Sequence, residues 1–211
     1  MDIKNLLIIE ECAGNKGCPN SVIGSEKLME SIKKIAEEKR LDECIKSKIK
    51  GPIRAHNCFK VGIANCPNAC SQVQITDFAV IGKIGIKIDT DKCINCGKCV
   101  RTCFERALSI QEGILHFKED KCVGCGMCVN TCKEHAIIIH KKGYNVLAGG
   151  KLGRHPMLAI KISDFATFDE TLEIFKKIID FYITNSIAGE RLGSIFQRLN
   201  INNREQLKRI I

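Results

Sequence analysis

Fourteen of the 211 residues are cysteine, and eight of these fall in two copies of a single spacing. DKCINCGKCVRTCFERALSI, from Asp91, and DKCVGCGMCVNTCKEHAIII, from Asp120, repeat at an offset of 29 residues. Each copy reads C-x2-C-x2-C-x3-C, through Cys93, Cys96, Cys99 and Cys103 and again through Cys122, Cys125, Cys128 and Cys132. Three thiolates on a tight loop can take three corners of an iron–sulfur cube, and a fourth, carried onto the following turn, reaches the other cube. The expected ligand sets are therefore Cys93, Cys96, Cys99 and Cys132 for one [4Fe–4S] cluster and Cys122, Cys125, Cys128 and Cys103 for a second. Zinc is the competing metal, but its four-ligand sites come as two separated pairs rather than as two complete quartets.

Four more cysteines form two short spacings: C-x5-C at Cys12 and Cys18, and C-x3-C at Cys66 and Cys70. Either pair alone would be weak evidence for a site. Cys44 and Cys58 are left over and read as small buried hydrophobes. The start, MDIKNLLIIEEC, has a short apolar run followed by acids and no small-residue cleavage site, so it does not read as a secretory signal. No run of 18 apolar residues offers a membrane span. A cytoplasmic, reducing compartment follows, which disfavours disulfides and leaves thiolate–metal ligation as the default.

The formal charge of +9 counts every cysteine as a neutral thiol. Three clusters, each with four thiolates, would add about −6 and leave about +3, so a nucleic-acid partner does not follow from the isoelectric point. The basic residues read instead as counter-charges for clusters and bound anions.

The elements that must position these cysteines are legible in outline. Ile3–Ile9 is a short strand candidate leading into Cys12. Ser21 to Arg40 reads as an amphipathic helix with Leu28, Ile32 and Ile35 on one face. Lys60–Ala64 and Phe78–Ile88 are strand candidates separated by a cysteine loop, and Tyr144–Leu147 is another. Phe168–Ala188 has helical spacing stopped by Gly189, with two shorter helices to follow. The fold class is α+β.

The stretch Ile88–His140 resembles bacterial two-cluster ferredoxins, although the proline usual after the fourth cysteine is Phe104 in one copy and Lys133 in the other. Sequence of another kind flanks it on both sides. It therefore reads as a ferredoxin domain, 88–140, inserted into a host domain made of 1–87 and 141–211. The host cysteines, in this order, resemble the cluster signature of sulfite and nitrite reductases, as do FKVGIANCPNAC, DFAVIGK, GYNVLAGGKLGRHPMLA from Gly143 and GERLGSIFQRL from Gly189. The match is to the C-terminal half of that family.

The resemblance implies that Cys12, Cys18, Cys66 and Cys70 hold a third [4Fe–4S] cluster against a sirohaem, with Cys70 bridging the two. It implies an oxidoreductase that takes electrons from ferredoxin or another low-potential donor and reduces a small oxyanion, sulfite or nitrite. Cations for the macrocycle and the substrate are expected among Lys151 and Arg154, in a glycine-rich loop, and Arg54 and Lys60, with His56 and His155 nearby. The family's other half is not matched, so a homodimer or a partner is expected to cover the open face. The rival reading is a sirohaem-free iron–sulfur electron carrier, or a subunit of a larger reductase.

Overall fold

The computed structural model describes residues 5–211. A five-stranded mixed sheet has the order β1(Leu7–Glu11), β2(Phe59–Ala64), β3(Phe78–Ile88), β6(Ile137–Ala148), β7(Ile160–Ala166). The first three strands run parallel, and β3, β6 and β7 are antiparallel neighbours. The expected first strand lies later than Ile3–Ile9, and residues 3 and 4 of that expectation fall outside the described residues.

Alternation along the strands sends one set of side chains to each face. Phe59, Val61, Ile63, Phe78, Val80, Val146 and Ala148 enter the main core. There they meet α1(Glu26–Glu38), α2(Leu41–Lys48), α5(Phe168–Asn185), α6(Leu192–Arg198) and α7(Arg204–Lys208). Helix α1 is shorter than the expected Ser21–Arg40, because Ser21–Gly24 is held in loop bonds and Ser25 stands at the N-cap. Helix α5 begins at a reciprocal capping box between Thr167 and Glu170. The opposite face of the sheet carries a smaller cluster, Ala64, Ala79, Ile81 and Leu147, closed by Ala69 and Val73 of the cysteine loop between β2 and β3.

Strands β3 and β6 make a ladder of 11 residue pairs, from Phe78↔Ala148 to Ile88↔Ile137. The cysteine repeat, with α3(Lys98–Thr102), the hairpin β4(Leu108–Gln111)–β5(Ile114–Phe117) and α4(Met127–Thr131), grows from the far end of this ribbon. Ile88 and Ile137 are ladder partners, so the two chain ends of the repeat lie side by side. The repeat also packs against the strand pair that carries it. Ile84 and Ile86 of β3 pack in one cluster with Cys99, Leu108 and Ile137, so host strand residues build part of the repeat's core. Strand β6 is also longer than the expected Tyr144–Leu147, since its first half is exposed ribbon with polar residues His140–Lys142 that hide the strand pattern.

The ladder slips by one residue between Gly85 and Ile86, which leaves His140 as the bulged residue. A Cβ on Gly85 would lie 2.5 Å from Lys141 Cε and 2.8 Å from His140 Cε1.

Asp77, fully buried, precedes β3 and ties the sheet to the start of α6. Its carboxylate accepts from Arg191 Nε at 2.7 and 2.8 Å and from the backbone N–H groups of Lys60 and Leu192. Burial pushes its pKa upward, against the pull of Arg191 and these donors. Arg191→Ala leaves that carboxylate buried and uncompensated, and is expected to cost about 3–5 kcal/mol in urea unfolding.

Candidate functional site

The repeat is built twice with the same backbone. Gly97 and Gly126 stand before α3 and α4 at φ 72° and 76°, in the left-handed region that lets each loop turn into its short helix. Cys103 and Cys132 follow the helices in extended conformation. One small cavity is lined by Cys93, Cys96, Cys99 and Cys132, and a second by Cys122, Cys125, Cys128 and Cys103. The structure thus brings together the two interleaved quartets expected from the spacing. Ile110 and Leu115 of the hairpin and Ile137 close the first cavity, and Ile86, Leu108 and Phe117 close the second.

Among the described residues no three His, Cys, Asp or Glu side chains converge where a single metal ion could be held. The thiols stand around the walls of two cavities instead, an arrangement that suits a polynuclear cluster. Burial raises the thiol pKa of Cys99 and Cys122 and pushes Cys128 up to about 12, and the neighbouring thiols of each quartet push in the same direction. Such a group becomes a favourable set of thiolates only around a positive core.

The third set gathers at the carboxyl ends of β1 and β2. Cys12 follows β1 and stands before a 3-10 turn at Ala13–Lys16, and Cys66 and Cys70 sit in the loop after β2. Cys66 is buried and Cys70 exposed. Burial raises the Cys66 thiol pKa, and Cys12, Cys70 and Cys18 raise it further, so all four thiols lie within electrostatic reach. Cys12 Sγ accepts a hydrogen bond from the Asn65 backbone at 3.2 Å. Cys44 and Cys58 stand apart from these sets, and Cys58 is wholly buried.

The expected cationic residues separate into two places. Lys60 and Lys151 flank Asp77: the Lys60 N–H bonds its carboxylate, Gly149 N–H bonds its carbonyl, and Gly150 N–H bonds the Thr76 carbonyl. After Cys70 the chain folds back along β2, with Ser71 Oγ donating to the Ile63 carbonyl. Arg54 lies before the opposite end of β2, a strand of roughly 15–20 Å away from the cysteine loop. There it lines an open cleft with Lys48, Lys50 and His56, within a run from Cys44 to Thr76 that has no acidic residue. The structure does not bring Arg54 to the thiols.

In the glycine-rich loop and at Gly193, the close approaches are to the protein itself. Cβ atoms on Gly149, Gly150 and Gly193 would come within 2.3 Å of Phe196, the Gln74 carbonyl and the Gly149 carbonyl respectively, so these glycines make room for the protein itself. Lys151 is 7% exposed and pairs with Met157 at the base of a tight turn whose tip presents Arg154 and His155 to solvent.

An α+β sheet whose connecting loops gather thiols in quartets has the frame of an iron–sulfur oxidoreductase domain. A family model, the nitrite and sulphite reductase 4Fe-4S domain, matches residues 3–208, and the chain belongs to that family. It is 36% identical over 143 residues to a coenzyme F420-dependent sulfite reductase of Methanocaldococcus jannaschii, an alignment covering 67% of this chain and 23% of the relative. It is also 36% identical over 50 residues to a subunit of the anaerobic sulfite reductase of Salmonella typhimurium, covering 24% of this chain and 15% of the relative. The chain therefore spans less than a quarter of each of these curated relatives. A crystal structure of a dissimilatory sulfite reductase shares the fold with a TM-score of 0.65 at 21% identity, over 97% of this chain and 52% of that one. Among the described residues no helix is long and apolar enough to cross a membrane.

The exposures and pKa directions set an order of thiol reactivity in metal-free protein. Cys70 and Cys96, both exposed, are expected to be alkylated first at neutral pH, and Cys58 and Cys128 last, read by peptide mass spectrometry after timed iodoacetamide quenching.

Proposed function

We propose that the chain is the cluster-bearing half of a sirohaem-dependent sulfite or nitrite reductase. In this reading residues 88–140 act as a two-cluster ferredoxin unit set into the host 1–87 and 141–211. The observation that carries it is the lining of the two cavities, in which each repeat surrenders its fourth cysteine to the other. The Cys93, Cys96, Cys99, Cys132 set and the Cys103, Cys122, Cys125, Cys128 set hold one [4Fe–4S] cluster each, and Cys12, Cys18, Cys66 and Cys70 hold a third. The exposure of Cys70 beside the buried Cys66 supports its role as the ligand shared with sirohaem.

When bound, the clusters supply one-electron transfers and the sirohaem supplies the iron at which the oxyanion takes up six electrons. The chain's own part is electrostatic. Lys60, on the strand that leads into the cysteine loop, and Lys151, whose neighbour Gly150 bonds the Thr76 carbonyl after that loop, are the cations assigned to an anion there. Neither ammonium is engaged in an ion pair among the described residues, which leaves both to balance a bound anion. Arg154, at the exposed tip of its turn, suits a macrocycle carboxylate reaching the surface. Arg54 belongs to the cleft at the other end of β2 and takes no part in this reading. With its clusters bound, the ferredoxin unit would be where electrons from a low-potential donor enter.

The second reading is a subunit of a larger reductase, whose site another chain or a second copy completes. Anaerobically purified protein is expected to contain about twelve irons in three clusters, with one more when sirohaem is present. About eight irons or fewer would overturn the third cluster. Strong absorption in the Soret region and in the red, with viologen-driven sulfite reduction, supports the reductase; their absence alongside three clusters shifts the reading to an electron carrier. Light scattering on the same sample gives the number of chains. Lys60→Ala and Lys151→Ala are each expected to raise KM for sulfite about tenfold with the iron content unchanged, the loss of one charge-assisted contact.

A further inference from the structure

Asn65 is fully buried, yet the oxygen of its side-chain amide has no hydrogen-bond partner. An orphaned buried carbonyl costs stability that a small apolar side chain would not, so the residue needs another justification. Its remaining groups supply one. The backbone N–H donates to Cys12 Sγ at 3.2 Å, although Cys12 and Asn65 are 53 positions apart. The side-chain Nδ2 donates to Asn15 Oδ1 at 2.9 Å, inside the turn that leads from Cys12 towards Cys18. Asn15 is in turn held by Ser25 Oγ at 2.7 Å and by Glu11, and Ser25 Oγ donates to the same Glu11 carboxylate.

The packing allows little play. A Cβ on Gly14 would lie 2.4 Å from Asn65 Nδ2, so only glycine lets the turn approach this closely. The Asn65 carbonyl accepts from the N–H groups of Val22 and Ile23 at 3.0 and 3.3 Å, fixing the segment after Cys18. Val22 then touches the other quartet: a Cβ on Gly126, between Cys125 and Cys128, would lie 3.2 Å from Val22 Cγ1. Beside it, Ile84 N–H donates to the Gly124 carbonyl at 3.0 Å. One residue therefore binds the Cys12–Cys18 turn, the Cys66 loop and, through Val22, the nearer cysteine set of the repeat.

We infer that Asn65 is a positioning residue for the redox site at Cys12, Cys18, Cys66 and Cys70, tuning it through the N–H bond to Cys12 and clamping its two cysteine pairs together through Asn15. The inference rests on the reading that these four thiols hold a cluster. Hydrogen bonds to ligand sulfur and the charge beside it are established controls of cluster potential. They act locally, so a change at Asn65 should move this site and leave the far quartet of Cys93, Cys96, Cys99 and Cys132 alone.

The test uses whole protein, purified anaerobically, in an EPR-monitored redox titration and a timed challenge with an iron chelator. Asn65→Asp places a carboxylate against the site and should disfavour the more negative reduced form about tenfold, a fall of about 59 mV for one electron. The far cluster should hold its wild-type potential. Asn65→Ala adds no charge but removes the bond to Asn15 that joins the two cysteine loops, and one cluster should lose iron to the chelator about tenfold faster while the far cluster keeps its rate. Should the aspartate variant fail to fold, the alanine variant decides. Wild-type potentials and chelation rates in both variants would overturn the inference, and so would an equal shift in every cluster, which marks a general loosening of the fold. Failure of the underlying reading looks different: wild-type protein itself would then hold iron for two clusters only.

Discussion

The antiparallel ladder between β3 and β6 is the constraint on which the rest depends. Its near end, at Phe78 and Ala148, lies in the main core; its far end, at Ile88 and Ile137, closes the cysteine repeat. A paired ribbon fixes the separation and the twist of whatever stands at its two ends. Host thiols and repeat thiols are thus held by continuous backbone hydrogen bonding rather than by a linker. The packing of Gly124 and Gly126 against Ile84 and Val22 adds a second line of contact between them.

Electrostatics sets the opposing demand. Twelve thiols are drawn into three groups, and in each of them at least one member has its pKa raised by burial and by its neighbours. At those members burial and crowding both disfavour the thiolate. The positive core of a cluster reverses the sign, since the same crowding then supplies several thiolates at short range. Nearby cations act in the same sense: the Lys83 ammonium lowers the Cys122 thiol pKa while lying 5.4 Å above the Phe165 ring. The buried Asp77 is the converse case, a carboxylate made tolerable by Arg191 and two backbone donors.

The cysteine sets are readable from the sequence because spacing along a tight loop translates almost directly into spacing in three dimensions. Strands β2 and β3 are readable for a similar reason, as apolar runs bounded by turn residues. Strand β6 is only half legible, because solvent-facing ribbon carries polar residues and only its second half enters the core. By sequence, Gly149 and Gly150 offer room for a ligand; the structure fills that room with Phe196 and the Gln74 backbone, a contact between residues far apart in sequence that no local pattern encodes. Asn65 is invisible for the same reason, since its partners Asn15 and Val22 lie more than forty positions away. Arg54 and Lys60 look alike in sequence, but Arg54 lies in the turn before β2 and lines the cleft with Lys48 and His56, whereas Lys60 lies within the strand with its N–H on Asp77.

The placement of the repeat inside a strand pair has a consequence for how the chain reaches its fold. Pairing Ile88 with Ile137 must close a loop of residues 89–136, which costs about 3–4 kcal/mol of chain entropy before the last rungs of the ladder repay it. A cluster that cross-links Cys93 to Cys132 would shorten that loop before the strands meet. Iron bound there would thus serve assembly as well as electron transfer: without it the far rungs of the ladder would be the last to close and the first to open to proteases.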